Sequence, residues 1–372
     1  MVDHVCGKKM IVYKDKKYGF YEIFNEENGT LIRSDVNGVD PVMRSFPELL
    51  DVGIMGHCNQ KSICAKAGID CYQKGNLRNS PHMSIDDFES IARQASGKTF
   101  QIALGGAGDP NKHPEFKKIL EISRYYRIVP NLTTSGWNIT EDEIDLMSKY
   151  CGAVAVSWYS RLKGSIESTP MTVEVTKKLL EHTCRTNVHF VISSDTIDEA
   201  INRLENDLFP SGISAVIFIL YKPVGQGQKK KVLRANDKRI ERFIKDVLKG
   251  HPFRIGFDTC FTSAILRYGT DFSIASIDAC EAATFSMYID SQMNCFPCSF
   301  GIWQEGMSES LYKKTIREIW EGAVFSSFRE KKKDMCSGCE QFEVCQGGCK
   351  LALNIDLCKR AMHPQYCRHE RI

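Results

Sequence analysis

The sequence lacks any long hydrophobic run and carries little excess charge of either sign. Its longest apolar stretch, Ile213 to Tyr221 (ISAVIFILY), falls far short of the ~20 residues that cross a bilayer as a helix. The N-terminal segment MVDHVCGKKMIVYKDKK has charges throughout and no apolar stretch of signal-peptide length. The formal net charge is +3, so no global basic field points to nucleic acid. These absences predict a cytoplasmic protein that binds neither membrane nor nucleic acid.

Against this ordinary background the cysteine content is high. The 372 residues include 16 cysteines, which admit a secreted disulfide framework, structural zinc or iron–sulfur clusters. Without a secretion signal the thiols are expected to stay reduced, and clustered cysteines then usually bind metal. Most of the cysteines fall near the start of the chain or in its last third, with few between.

Between the two cysteine groups, short apolar runs alternate with longer amphipathic ones, as is typical of repeated βα units. Strands are predicted at 50–55, 100–104, 128–133, 153–157, 188–192 and 215–220, and helices at 84–96, 115–125, 140–149, 172–183 and 196–207. Six repeats predict an α/β fold with a parallel sheet, open or curled into a partial (β/α)6 TIM-like barrel, and ligands at the carboxyl ends of its strands. We place the domains at 1–47 (a small antiparallel β extension), 48–235 (the barrel) and 236–372 (a cysteine-rich domain).

The first cysteines, Cys58, Cys64 and Cys71, form C-x5-C-x6-C in the loop directly after the first barrel strand. Three thiolates on one loop can hold three irons of a [4Fe–4S] cluster and leave the fourth iron without a protein ligand. An open metal position is where a substrate or cosubstrate coordinates. The spacing therefore indicates a reactive cluster at the carboxyl end of the barrel.

This segment resembles the radical S-adenosylmethionine (SAM) enzymes, although their usual triad is the shorter C-x3-C-x2-C. The likeness continues through QIALGGAGDPNKHPEF, which is similar to a glycine-rich motif of that family, and covers roughly residues 48–228. It implies that SAM is bound by residues at successive strand ends: Gly105, Gly106, Asp109, Ser135 and Ser157. Glycines let the backbone approach a ligand, and an acidic neighbour suits the ammonium of methionine. Taken singly, each serine is equally typical of a turn cap.

The C-terminal cysteines contain the sharpest pattern in the chain. Cys336, Cys339, Cys345 and Cys349 form C-x2-C-x5-C-x3-C, a spacing that by itself also suits a zinc knuckle. With three further cysteines the pattern resembles the SPASM extension of radical SAM peptide-modifying enzymes: Cys280, Cys298 and Cys367. Met293 stands where that pattern has glycine.

The SPASM resemblance implies two auxiliary [4Fe–4S] clusters, and so three clusters in all. One would take Cys260, Cys280, Cys298 and Cys349, where Cys260 rests on its upstream position alone. The other would take Cys336, Cys339, Cys345 and Cys367, with Cys358 as a competitor for the last place.

The resemblance also implies an activity. An electron from the reduced Cys58/Cys64/Cys71 cluster would cleave SAM, and the 5′-deoxyadenosyl radical would take hydrogen from an unactivated carbon. We predict an oxidoreductase of the peptide maturase kind, which installs a thioether or carbon crosslink in a peptide or protein, such as a short precursor peptide. Its electron donor would be a flavodoxin or ferredoxin. Ser299 follows Cys298, whereas sulfatase-maturing enzymes have at this position an aspartate that acts as a base. This difference disfavours formylglycine formation.

Two other functions stay open on the sequence. The chain fits a radical SAM enzyme that acts on a small molecule or cofactor precursor. It also fits a catalytically silent iron–sulfur module that binds a peptide by strand addition.

Overall fold

The structure, a computed structural model, consists of two β-sheets with helices between the strands of the larger one. It describes residues 10–58, 60, 64, 67–159, 170–269, 277–352 and 354–362. The strands are β1 Met10–Asp15, β2 Phe20–Asn25, β3 Leu31–Asp35, β4 Leu49–Met55, β5 Gln101–Gly106, β6 Val129–Thr134, β7 Val154–Ser157, β8 Thr186–Ile192, β9 Ala215–Leu220, β10 Arg254–Phe257, β11 Ser286–Ile289, β12 Asn294–Phe296 and β13 Glu309–Ser310. The helices are α1 Ile85–Ala95, α2 Phe116–Tyr125, α3 Glu141–Tyr150, α4 Met171–Glu181, α5 Ile197–Glu205, α6 Arg239–Val247, α7 Thr262–Tyr268, α8 Ile316–Trp320, α9 Ala323–Glu330 and α10 Phe342–Cys345. Among the residues described, no helix is both long and apolar enough to span a membrane.

The larger sheet has ten strands in the order β10-β9-β8-β7-β6-β5-β4-β11-β12-β13. Strands β4 to β9 are neighbours in chain order and all pair in parallel, which confirms the predicted βα repeats. Parallel strands β10 and β11 add to the two sides of this set, and β12 and β13 continue antiparallel beyond β11. Strands from both sides of residue 235 therefore share one sheet, and the domain division there stays a prediction.

Side-chain caps fix where two of the helices begin. Ser84 Oγ accepts a hydrogen bond from the Asp87 N–H at 3.1 Å, ahead of α1. At α3, Thr140 Oγ1 accepts from the Glu143 N–H, and the Glu143 carboxylate accepts from the Thr140 N–H at 2.9 Å. Such reciprocal bonds satisfy N–H groups that the first helical turn leaves unpaired. Both helices start within a residue of the predicted position.

The two faces of the parallel sheet differ in their environment. On β5, Ile102 and Leu104 are buried, whereas Gln101, Ala103 and Gly105 on the opposite face keep partial contact with solvent. The same alternation holds along β6, β8 and β9. Because side chains alternate across a strand, one face packs into the core and the other borders an open space. We call the second the inner face.

The three-stranded sheet β1–β3 packs at the amino ends of the parallel strands. Phe24 stacks on Phe100, directly before β5, with ring centroids 5.2 Å apart. Arg44 and Glu22 form a fully buried ion pair at 2.7 Å, and Arg127, before β6, binds Glu26 at 2.6 Å. The predicted N-terminal β extension thus lies at the end of the sheet opposite to the carboxyl ends of the strands.

Candidate functional site

Cys58, Cys64 and Cys71 lie on the loop that follows β4 at the carboxyl end of the sheet. Burial, together with the neighbouring charges of Cys58 and Cys71, raises the pKa of the Cys64 thiol to about 12. Backbone N–H groups point at the other two sulfurs, from Gln60 to Cys58 Sγ at 3.4 Å and from Gly75 to Cys71 Sγ at 3.5 Å. The structure thus brings the three predicted thiols together as one set, which we call the triad.

Close backbone contacts hold the triad loop in place. A Cβ on Gly75 would lie 1.9 Å from the Ala107 carbonyl oxygen and 3.0 Å from Cys58 Cβ. Gly225, in the turn after β9, has a φ of +64°, and a Cβ there would lie 2.2 Å from the Tyr72 carbonyl oxygen. Neither position can carry a side chain without displacing the loop.

A carboxylate beside the triad ties its loop to the same turn. Asp70 accepts hydrogen bonds from the Tyr221 hydroxyl at 2.7 Å, from Lys231 Nζ at 2.7 Å and from Gln228 Nε2 at 3.0 Å. The Gln226 N–H also donates to the Cys71 carbonyl at 3.1 Å. The loop after β4 therefore reaches the carboxyl end of β9 and is anchored there.

Asp109 and Ser135, two of the predicted SAM contacts, are hydrogen-bonded to each other at the ends of β5 and β6. Ser135 donates its hydroxyl to Asp109 Oδ2 at 2.5 Å and its N–H to the same carboxylate at 3.1 Å. Burial raises the pKa of Asp109, and these hydrogen bonds oppose the rise. Gln60, on the triad loop, also bonds to Asp109, so this pair lies next to the triad.

The other predicted SAM contacts lie at neighbouring strand ends. Gly105 ends the inner face of β5, and a Cβ there would meet no atom within 4 Å. Gly106 has a φ of +114° and packs against the backbone of Met55. Ser157 ends β7 and its hydroxyl is hydrogen-bonded to Tyr159. Together these residues leave room at the carboxyl edge beside the triad.

Four cysteines from separate parts of the C-terminal region meet in a first C-terminal thiol group: Cys260, Cys280, Cys298 and Cys349. The Cys260 thiol donates to the Cys349 sulfur, which lowers the pKa of Cys349 and raises that of Cys260. Burial, followed by repulsion from Cys280, raises the pKa of Cys298 to about 12. The Ala352 N–H donates to Cys349 Sγ at 3.2 Å. All four predicted ligands of one cluster are thus in one place.

A second C-terminal thiol group includes Cys358: Cys336, Cys339, Cys345 and Cys358. Burial raises the pKa of Cys345 to about 11, and the charges of Asp356 and Cys358 act in the same direction. Backbone N–H groups of Gly347 and Gly348 donate to Cys345. Cys367, the predicted fourth ligand, lies outside the described residues. Within them, Cys358 is the cysteine that faces Cys336 and Cys345.

The three cysteine sets fit iron–sulfur clusters in their chemistry. Each set contains thiols whose pKa is raised by burial and by neighbouring cysteines, and such thiols need a cationic centre before they can all ionise. Backbone N–H groups aimed at the sulfurs are contacts that tune such clusters. In the described ranges, no three Cys, His, Asp or Glu side chains converge to hold a single metal ion.

The turn between β11 and β12 shows how Met293 takes the place of glycine. Met293 is buried and has a φ of 61°, which costs a residue with a side chain roughly 1 kcal/mol. Its N–H donates to the Asp290 carbonyl at 3.1 Å, and its own carbonyl accepts from Leu311 at 2.8 Å. The turn before Cys298 is therefore built with a strained methionine.

Sequence reasoning missed two ionisable side chains on or near the parallel strands, Asp51 and Lys222. Asp51 lies on the inner face of β4, and burial raises its pKa to about 7. Its register partner on β11 is Tyr288, whose hydroxyl accepts from Gln73 Nε2 at 3.2 Å. Lys222 follows β9 and pairs with Asp258 at 2.6 Å. The available signals were a lone acid within the apolar run LLDVGIM and a lysine before the turn PVG.

Comparisons with known proteins agree with this arrangement. Residues 280–341 match the family model of the SPASM iron–sulfur cluster-binding domain. A search of curated proteins found no match. The fold is similar to that of Streptococcus suis SuiB bound to S-adenosylmethionine, with a TM-score of 0.71 and 16% identity over 98% of this chain and 100% of that one.

Two further structures share the fold. SuiB bound to precursor peptide SuiA gives a TM-score of 0.70 at 15% identity, over 95% of this chain and 99% of that one. Native anSMEcpe with bound AdoMet and Cp18Cys peptide gives 0.58 at 17% identity, over 83% and 91%. The predicted α/β fold is therefore confirmed, since these structures share it, and the match to the SPASM model lies toward the C-terminus.

Proposed function

We propose that the protein is a radical SAM enzyme that crosslinks a peptide, and that each of its three cysteine sets holds a [4Fe–4S] cluster. The observation that carries this is the triad, which meets beside the Asp109–Ser135 pair at the carboxyl edge of the sheet. Three thiolates for four irons leave one iron for an external ligand. SuiB binds S-adenosylmethionine and precursor peptide SuiA, and anSMEcpe binds AdoMet and a peptide, which supports both ligands here.

The chain's residues have distinct roles in this proposal. Cys58, Cys64 and Cys71 hold the SAM-binding cluster, and Asp109, oriented by Ser135, offers a carboxylate to the methionine ammonium. A cluster and SAM bound there would supply a 5′-deoxyadenosyl radical, the species that can remove hydrogen from an unactivated carbon. The small residues Ala103 and Gly105 leave the inner face open to a substrate side chain.

A crosslink removes two hydrogens from the peptide. One would leave as a hydrogen atom, taken by the radical that bound SAM would supply, and the other would leave as a proton and an electron when the new carbon–sulfur or carbon–carbon bond forms. The two C-terminal thiol groups would hold the clusters that accept the electron. Asp51, with a pKa of about 7 on the inner face, is the carboxylate we assign to take the proton.

The test uses protein purified and reconstituted without oxygen. We expect about 12 irons and as many sulfides per chain, as three such clusters require. With SAM and a reduced flavodoxin, 5′-deoxyadenosine should form. Co-expression with short peptides encoded beside the gene should give a product lighter by two hydrogens. A colourless, zinc-loaded protein would overturn the radical mechanism, and 5′-deoxyadenosine without any peptide product would overturn the peptide assignment.

A matched pair of variants locates the chemistry. Replacing Cys58, Cys64 and Cys71 together by alanine should remove about a third of the iron and nearly all 5′-deoxyadenosine formation. Cys151→Ala removes a partly buried thiol that lies near Cys184 and Arg124, outside the three sets, and should leave both the iron content and 5′-deoxyadenosine formation unchanged. Equal 5′-deoxyadenosine formation in the two variants would exclude the triad as the reaction site.

A further inference from the structure

A buried lysine lies against the first C-terminal thiol group. The Lys222 side chain is 3% exposed. Its Nζ donates to Asp258 Oδ2 at 2.6 Å and to the Leu220 carbonyl at 3.0 Å, and lies 4.8 Å from the centre of the Phe300 ring. An ammonium has three N–H groups, and the described residues accept from two of them. The third is available to another acceptor.

The charge of Lys222 acts on the thiols of this group. It favours the ionised forms of Cys260, Cys298 and Cys349. At Cys260 the attraction to Lys222 outweighs the repulsion from Asp258, whose side chain is 22% exposed and so better screened by water. This ion pair therefore produces a net positive electrostatic potential at the thiol group.

The second C-terminal thiol group has a different balance of positive and negative charge around it. Its ion pair is Lys333 with Asp356, at 2.5 Å. Lys333 favours the ionised form of Cys336, whereas Asp356 opposes ionisation of both Cys336 and Cys345. Asp356 is as deeply buried as its partner, so its charge is not screened away. The two groups thus present unequal fields to whatever they bind.

We propose that Lys222 raises the reduction potential of the cluster held by Cys260, Cys280, Cys298 and Cys349, and so makes this cluster the preferred electron acceptor. The inference rests on the proposed function. One added electron makes a cluster held by four thiolates more negative, so a fixed cation stabilises the reduced form more than the oxidised form. Burial strengthens the effect because little water screens the charge. In this role Lys222 acts through the cluster and not on the substrate.

The experiment is a redox titration of the reconstituted holoenzyme, followed by electron paramagnetic resonance at low temperature. Lys222→Met keeps the length of the side chain and removes the charge. We expect one of the cluster signals to need a more negative potential. At a fixed potential, the ratio of reduced to oxidised cluster should fall at least tenfold, which is about 59 mV for one electron.

Three further variants separate tuning from structural damage. Lys222→Arg keeps the charge and should restore the potential. Asp258→Asn leaves the lysine unpaired and should shift the same signal to a more positive potential, which tests the proposal even where Lys222→Met fails to retain iron. Lys333→Met changes the matched ion pair of the second group and should leave this signal in place.

The possible outcomes are distinct. An unchanged or more positive potential in Lys222→Met, or an unchanged one in Asp258→Asn, overturns the role of Lys222 while the clusters stand. Absence of any iron–sulfur signal from the unmodified protein overturns the proposed function itself. Circular dichroism and iron content of each variant verify that the comparison is made on folded, loaded protein.

Discussion

Asp51→Asn should make the protein more stable at alkaline pH while it impairs product formation. Asp51 faces the open side of β4 and accepts no hydrogen bond from the described residues, so its charge has no partner there. Burial raises its pKa from 3.8 to about 7. An unfolded chain would ionise this carboxyl near pH 4. The folded protein therefore keeps a proton that the unfolded chain has released, and its stability falls as pH rises from about 4 to about 7.

The size of this effect follows from the same two values. A difference of one unit between the folded and unfolded pKa corresponds to about 1.4 kcal/mol. A fully desolvated carboxyl would therefore lower the free energy of unfolding by about 4 kcal/mol above pH 7. Asp51 keeps partial contact with solvent on the inner face, and we expect about half of that, ~2 kcal/mol. Asparagine has nearly the same shape and does not titrate.

The assay is denaturant unfolding of the anaerobic protein at pH 4.5 and pH 8. Asp51→Asn should match the unmodified protein at the lower pH and exceed it at the higher pH. Asp145→Asn, at a side chain that is 69% exposed, is the control and should change neither. In the peptide assay, Asp51→Asn should keep 5′-deoxyadenosine formation and lose most of the crosslinked product. Equal pH dependence in Asp51→Asn and the unmodified protein would refute this account of Asp51.

Three shorter predictions test other parts of the molecule. Burial, with repulsion from Glu22 and against the attraction of Arg33, raises the pKa of Glu48 from 4.5 to about 9. The folded protein therefore keeps a proton that the unfolded chain releases near pH 4.5, so the melting temperature of the unmodified protein should fall between about pH 4.5 and about pH 9, and that of Glu48→Gln should fall less; an equal fall in the two proteins would contradict this. Gly75→Ala would place a Cβ 1.9 Å from a backbone carbonyl and should cost about four irons per chain, whereas Gly301→Ala, with its nearest atom at 3.8 Å, should cost none. Cys358→Ser should reduce iron content more than Cys367→Ser if Cys358 is the fourth ligand of the second group; the reverse order would restore Cys367.

Local patterns in the sequence were sufficient for the repeated part of the fold. Apolar runs of strand length, separated by capped amphipathic helices, predicted the bounds of β4 to β9 within two residues. This was possible because each βα unit is encoded by its own periodicity. β10 was not predicted, since the four residues RIGF are too few to show an alternation of apolar and polar side chains. The pairing of β11 with β4 joins segments far apart in the chain, and no local pattern encodes such a contact.

The residues of the candidate site likewise divide into those that local sequence predicts and those that only the tertiary structure reveals. Cys58, Cys64 and Cys71 share one loop, so their spacing was enough to propose them as a set. Asp51 and Lys222 gain their significance from neighbours that only the tertiary structure supplies. Electrostatics of this kind depend on burial and on the sign of nearby charges, which a single sequence does not display.

The first C-terminal thiol group has a consequence for how the protein must be produced. Cys280 and Cys298 lie on either side of the hairpin β11–β12, and Cys260 and Cys349 lie outside it, so a cluster bound there would fasten the hairpin to the rest of the chain. β11 covers the side of β4 that faces away from β5. Without the cluster, the hairpin would be held less firmly and the edge of β4 would be exposed. Exposed strand edges pair with strands from other molecules. Cells short of iron should therefore yield aggregated protein, and iron supplied during synthesis, rather than afterwards, should keep it in solution.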